Sequence, residues 1–204
     1  LSMVMGYAAQ MEGAEDLPPE RRKQAGIIRL QSQEIRDLVN DLNLTMRLDC
    51  AMQALRKESL QVEAFLRQTT ADFLNGGMGE GFDFEIDLPS EPLPQIEADP
   101  FLLRRAVNNL LANCVRHNPP GGSIRLGARA EGKSVVLFVD GGTAAGIPSA
   151  AEPTRQLEAD GGAAHGTGLK LVRQIAEAHG GTVQFRQGAS HGLEVSISLP
   201  TSNA

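Results

Sequence analysis

The sequence predicts a two-layer α/β sandwich with a mixed sheet, preceded by an N-terminal α-helical hairpin. Three observations carry this. First, Ile28, Ile35 and Leu42 recur every seven residues, with Leu38 and Thr45 between them. One helix cannot bury such a seam alone. Second, strand-like and helix-like patterns are interleaved after about residue 59, and several neighbouring strands are joined by short hairpin-like turns. A doubly wound parallel sheet would need a helical crossover at each of those joints. Third, the stretch Asp99–Pro119 reads as one amphipathic helix with an unusual polar stripe.

In chain order, Leu1–Met11 is a short apolar helical piece, and Gly13 with Pro18-Pro19 breaks it. A long helix is expected from about Pro19 to Leu55. It carries the heptad seam and is expected to form a dimeric bundle. Leu60–Leu74 reads as another amphipathic helix, with Leu60, Ala64, Phe65 and Leu74 toward the core. Glycines 76, 77, 79 and 81 end it. Phe82, Phe84, Ile86 and Leu88 alternate with acidic residues, as in a half-buried strand. Pro89–Pro94 is a loop. Asp99-Pro100 starts the next helix, with Pro in its first turn. Leu103, Ala106, Val107, Leu110, Leu111 and Cys114 form its buried side. Pro119-Pro120-Gly121-Gly122 stops it. Strands follow at Ser123–Arg129, with Ile124 and Leu126 inward, and at Ser134–Asp140. The unbroken apolar run Val135–Val139 suits a central strand. Gly141–His165 is rich in Gly, Ala and Pro and reads as loop. A helix over Thr167–His179 is capped by Gly180-Gly181, and Thr182–Arg186 and Leu193–Leu199 close the chain as strands.

The formal net charge of −6 gives no electrostatic case for nucleic acid, which calls for a basic face. With no Trp and one Tyr, there are no aromatic platforms for stacking bases along a strand. No apolar run is long enough to cross a bilayer, so no membrane contact is expected for this fragment. Cys50 and Cys114 lack metal-ligand spacing and read as buried free thiols in a reducing compartment. The chain opens on Leu1, not Met, as expected of a piece of a longer protein.

Chemistry concentrates in three places. On the polar side of the Asp99–Pro119 helix, Arg105, Asn109, Asn113, Arg116 and His117 stand three or four residues apart and share one stripe. Asn is a poor helix-interior residue, because its amide competes for backbone hydrogen bonds. An Asn oxygen is also a suitable hard ligand for Mg²⁺, which keeps its other positions for water and phosphate. Asp140 stands at the end of a buried strand, followed by Gly142 and by Gly146-Ile147-Pro148; a carboxylate there could accept a hydrogen bond from an exocyclic amine. Finally, His165-Gly166-Thr167-Gly168-Leu169 runs into a helix, where free N–H groups and the helix dipole favour phosphate.

Together these features resemble the ATP-binding domain of sensor histidine kinases, within the wider Bergerat-fold group that includes gyrase, Hsp90 and MutL types. Asn109-Leu110-Leu111-Ala112-Asn113 resembles the N box, Asp140–Pro148 the G1 box and Gly166–Leu169 the G2 box. Leu171–Gly181 also follows the family's run. The resemblance implies residues 1–55 as a truncated dimerisation and phosphotransfer hairpin and about 59–200 as the catalytic domain. It implies ATP and Mg²⁺ as cofactors, with Asn113 on the metal and Asn109 near the phosphates. Arg116 would meet a phosphate, His117 the base or ribose, and Asp140 the adenine amino group. Gly142, Gly146 and Ile147 would shape the pocket. Gly166, Thr167, Gly168 and Leu169 would cradle the phosphates under a lid of about Ser149–His165. The implied partners are a second copy of the chain, through residues 1–55, and a response regulator. The implied location is the cytoplasmic portion of a bacterial inner-membrane sensor. ATP-hydrolysing relatives carry Glu as general base at the position of Asn109, so Asn here suits a kinase more than an ATPase.

Some features depart from that pattern. The family's phosphoacceptor His would lie upstream of Leu1, so this chain holds no catalytic His of its own. The usual D-x-G-x-G spacing is extended between Asp140 and Gly146. The lid is short and lacks a Phe-rich box, and Lys170 sits where the G2 box often has Gly or a small residue. The alternative reading is therefore a pseudokinase scaffold, catalytically weak or inactive, that dimerises and docks a regulator.

Overall fold

The computed structural model describes residues 1–49, 54–141, 166–188 and 192–202. The chain divides into two compact units, Leu1–Arg47 and Leu48–Ala204. The first holds α1 (Ser2–Glu12) and most of α2 (Pro19–Asp49). Pro19 opens α2, where its missing N–H costs nothing. Arg29 Nε donates to Glu12 Oε2 at 2.7 Å, tying α2 to the end of α1. Ile28, Ile35, Leu38 and Leu42 stay about half exposed, so the heptad seam is open, although Thr45 on the same seam is buried. The expected helix ran to Leu55, but residues from Ala54 to Lys57 are irregular.

The second unit is a mixed five-stranded sheet with helices on one face. Its strands are β2 (Asp83–Asp87), β4 (Ser123–Glu131), β5 (Ser134–Gly141), β6 (Thr182–Gln187) and β7 (Leu193–Pro200), in the order β2-β4-β5-β7-β6. Only β2 and β4 run parallel; the other neighbours are antiparallel. The helices are α3 (Val62–Asn75), α4 (Pro100–His117) and α5 (Gly166–Ala178). A separate two-stranded ribbon pairs β1 (Glu58–Leu60) with β3 (Ile96–Ala98). Neither of these short strands is expected from the sequence. In α3 the core is Val62, Phe65, Leu66, Thr69, Thr70 and Phe73, whereas Ala64 and Leu74 are exposed and Leu60 falls in β1.

Register settles which side chains face the helices. Ile124, Leu126 and Ala128 pair with Gly141, Val139 and Leu137, and these in turn pair with Leu193, Val195 and Ile197. Residues directly opposite share a face. Most of these are almost wholly buried and form the core with Leu103, Leu111, Leu171 and Ile175 of the helices. The other face carries the intervening residues. One row across the five strands reads Glu85, Arg125, Asp140, Glu194, Arg186. Beside it the Phe138 ring lies under the guanidinium groups of Arg125 and Arg129, 5.7 and 5.0 Å from its centroid.

His179, just past α5, joins that helix to the start of α4. Its Nε2 accepts the Asp99 N–H at 2.9 Å, and Nδ1 lies 2.7 Å from the Ile175 carbonyl oxygen. Both contacts suit the neutral Nδ1–H tautomer. Burial pushes the His179 pKa below its ordinary value of 6.5; nearby Lys57 adds to this, while the Ile175 carbonyl and Asp99 oppose it. The unfolded chain then binds the proton more readily. The stabilisation from His179 is thus full above about pH 6.5 and is lost as the pH falls below it. Urea midpoints measured from about pH 7 down to about pH 5.5 should fall more steeply for the wild type than for His179→Gln. Parallel slopes would show that His179 is not the titrating group.

Candidate functional site

The site begins with how α4 is held. Asp99 caps it: Oδ1 accepts from the N–H groups of Phe101 and Leu102 at 3.1 and 3.2 Å, and Oδ2 accepts the Arg56 N–H at 2.9 Å. Such a cap is worth about 1 kcal/mol to the helix. Leu102, Leu103, Ala106, Val107, Leu110 and Leu111 bury the opposite side. With its start and its apolar face fixed, α4 presents Asn109 and Asn113 at a set rotation.

The first turn of α5 meets them there. A Cβ placed on Gly168 would stand 3.4 Å from Asn109 Oδ1 and 3.8 Å from Asn113 Nδ2. The helix N-terminus thus packs directly against the Asn pair, at a separation where an added Cβ would make ordinary contact. Asn109 Nδ2 is buried and has no hydrogen-bond partner among the described residues. Leaving a buried donor unmet costs about 1–3 kcal/mol. An acceptor-rich group such as a phosphate, held also by the α5 N-terminal N–H groups and dipole, would satisfy it. Leu169 is half-buried behind Gly168. Gly166 and Thr167 open α5.

The far end of α4 carries further polar groups. Arg116 and His117 stand exposed on the last turn. Asn118, the C-cap, turns its side chain toward β5. A Cβ on Gly141 would lie 2.5 Å from Asn118 Nδ2 and 3.1 Å from Cys114 Sγ. Asn118 Nδ2 is likewise buried and unpartnered among the described residues. Cys114 is a free thiol, and burial, aided by the Asp140 charge, pushes its pKa up to about 12. It stays protonated and is no nucleophile at neutral pH.

The structure does not bring Asp140 to this group. Asp140 pairs in register with Arg125, so it points to the sheet face away from the helices, one residue out of phase with Gly141. Its fully buried carboxylate accepts from Arg125 Nη2 at 2.9 Å. The backbone at Gly188 closes over it so tightly that any Cβ there would overlap the carboxylate. Gly142, Gly146 and Ile147 lie outside the described residues, as do the lid at 149–165 and Cys50. Neither Asn118 nor Gly141 is among the residues expected from sequence. The pairing of β5 with β4 and β7 places Gly141 on the helix side, and the all-apolar run before it carries no signal of that phase.

Among the described residues no three His, Cys, Asp or Glu side chains stand together as a metal site. A cation here would be held by an Asn oxygen and by oxygens of its ligand. That donor set suits Mg²⁺ carried by a polyphosphate.

Residues 98–203 match the family described as "Histidine kinase-, DNA gyrase B-, and HSP90-like ATPase". The chain belongs to this family. Among curated relatives, the alginate biosynthesis sensor protein KinB of Pseudomonas aeruginosa is 32% identical, over 91% of this chain and 32% of that protein. The sensor histidine kinase YvrG of Bacillus subtilis is 26% identical, over 97% of this chain and 35% of that one. The chain thus spans about a third of the length of these relatives. Among solved structures, full-length ShkA in complex with AMPPNP aligns at TM-score 0.69 and 27% identity, covering 97% of this chain and 42% of that one. Residues 98–203 therefore form the core of the ATP-binding catalytic domain of a sensor histidine kinase, a Bergerat fold preceded by a helical segment. In this histidine-kinase domain the Asn pair and the α5 N-terminus come together, whereas Asp140 stands apart.

Proposed function

We propose that this chain is the kinase core of a two-component sensor that binds Mg-ATP between α4 and α5. One observation carries the reading: the Asn109 side chain lies with Oδ1 against the glycine-lined first turn of α5, and its buried Nδ2 has no partner among the described residues. In this reading Asn109 donates to a phosphate, and Asn113 supplies a metal-binding oxygen. Arg116 meets a second phosphate from the helix end, with His117 beside it near the ribose or base. Residues 166–169 hold the phosphates by backbone N–H groups. Bound Mg²⁺ would neutralise phosphate charge, and the protein's share of catalysis is positioning. The γ-phosphoryl passes to a His of the parent protein upstream of Leu1, then to an Asp of a response regulator. AMPPNP in the ShkA structure supports the nucleotide, and relatives named as sensor kinases support the relay. The intact phosphate end favours this reading over a pseudokinase scaffold.

Calorimetric titration of the chain with AMPPNP, with and without Mg²⁺, tests the proposal. Metal-dependent binding is expected; no heat at millimolar analogue would sink it.

Residues 1–55 serve as the dimerisation segment and about 59–200 as the catalytic domain. Support comes from the open apolar seam of Ile28, Ile35, Leu38 and Leu42. The parent would be a bacterial inner-membrane sensor with this portion in the cytoplasm. No helix among the described residues is long and apolar enough to cross a membrane. The double substitution Ile35→Glu/Leu42→Glu places charge on the seam, and sedimentation equilibrium should then report monomer where the wild type is dimer. A wild type that is monomeric at high concentration would remove the dimer assignment.

A further inference from the structure

The base end of the site does not fit the carboxylate expected there. On the helix side of the β5 end stand Gly141, the protonated Cys114 thiol and the Asn118 carboxamide, and Asp140 is on the other face. We infer that the Asn118 carboxamide, reaching across the space left by Gly141, reads the purine edge, so that the site takes 6-amino and 6-oxo purine nucleotides alike. The inference rests on the nucleotide site proposed above and specifies its base end.

Three observations converge. The Asn118 amide nitrogen is buried and unpartnered among the described residues, which a ligand acceptor would relieve. Its position is fixed from both sides. The Asn118 backbone N–H donates to the Cys114 carbonyl at 3.0 Å, and Gly141 offers no side chain to displace the amide. Asp140, meanwhile, is committed to Arg125 and covered by the backbone at Gly188.

The chemistry of the two groups differs in a way that can be read out. A carboxylate only accepts hydrogen bonds, so it pairs with the 6-amino group of adenine and repels the 6-oxo group of guanine. A carboxamide both donates and accepts, and can turn either end to the base. A site built on it rejects neither purine by leaving a buried group unmet.

The test compares AMPPNP and GMPPNP, with Mg²⁺, by calorimetry on the wild type and on Asn118→Leu, Asn118→Asp and Asp140→Asn. Wild-type affinities for the two analogues within about tenfold of each other are expected, since no acceptor-only group discriminates between them. Asn118→Leu should weaken both. Asn118→Asp should shift the ratio toward AMPPNP by about tenfold or more, a change that loss of folding alone would not produce. Asp140→Asn should leave the ratio where it is. Urea midpoints run beside each variant separate unfolding from lost recognition. A wild type that prefers AMPPNP by about a hundredfold or more, with the preference lost in Asp140→Asn, overturns this inference while the nucleotide site stands. Binding of neither analogue overturns the nucleotide site itself, and the inference with it.

Discussion

Replacing Asn113 with Ala is expected to remove the magnesium-dependent part of nucleotide binding. Asn113 sits one helical turn after Asn109 on the same stripe of α4, and its amide faces the first turn of α5 beside Gly168. Among the described residues no acidic cluster could hold the metal in its place. In the proposed site the amide oxygen would therefore be the protein's main handle on a cation whose remaining ligands are phosphate and water. An interaction of a polar group with a charged one is worth about 1.5–3 kcal/mol, which converts to about a ten- to hundredfold loss of AMPPNP affinity. The loss should appear only when Mg²⁺ is present, leaving metal-free binding as in the wild type. Folding should survive, because Asn113 is only half-buried and Ala is the better helix former. Asn113→Asp keeps a hard oxygen and should retain the metal dependence. If Asn113→Ala binds AMPPNP as the wild type does, with the same gain from Mg²⁺, the metal is held elsewhere.

Much of this architecture was legible in the sequence, and the exceptions have physical reasons. α4 was readable because every signal agreed: a capping Asp99 with Pro100, an apolar repeat in register, and a Pro-Gly stop. The strands β1 and β3 were not, since three residues are too few to show alternation. The α3 core is less legible because two of its buried positions are Thr69 and Thr70, which an apolar count passes over; Thr70 Oγ1 satisfies itself by donating to the Leu66 carbonyl at 2.8 Å. β5 hides its parity. Val136 and Phe138 are apolar yet face away from the helices, so the run Val135–Val139 looks the same from either side. That continuity concealed which of Asp140 and Gly141 meets α4. The Asn pair and the α5 N-terminus were readable because glycines and Asn in helices are locally unfavourable, and so conspicuous. Which residue at the end of β5 faces α4 depends on a one-residue phase that only strand pairing reveals.

Arg125→Ala is expected to be among the most destabilising single changes on the open face of the sheet. The Asp140 carboxylate is fully buried, and Arg125 Nη2 reaches it at 2.9 Å from the neighbouring strand. Arg125 is itself a quarter exposed, contacts Asp87 at 3.4 Å and lies over the Phe138 ring. Removing the guanidinium takes a charged partner from a carboxylate that has no access to water. Breaking a buried pair from one side costs about 3 kcal/mol or more. Arg186 is the control on the same face: its pair with Glu131 is largely solvated, so Arg186→Ala should lose less. A mutant cycle completes the argument. In Arg125→Met/Asp140→Asn both charges are gone, and the stability should recover most of what Arg125→Ala lost, since replacing both members of a buried pair is often near neutral. Recovery in the double variant would mean that Asp140 is held by Arg125 as part of the sheet. If Arg125→Ala unfolds at the wild-type urea concentration, the carboxylate is held by other groups, and its commitment to the outer face is weaker than the register implies.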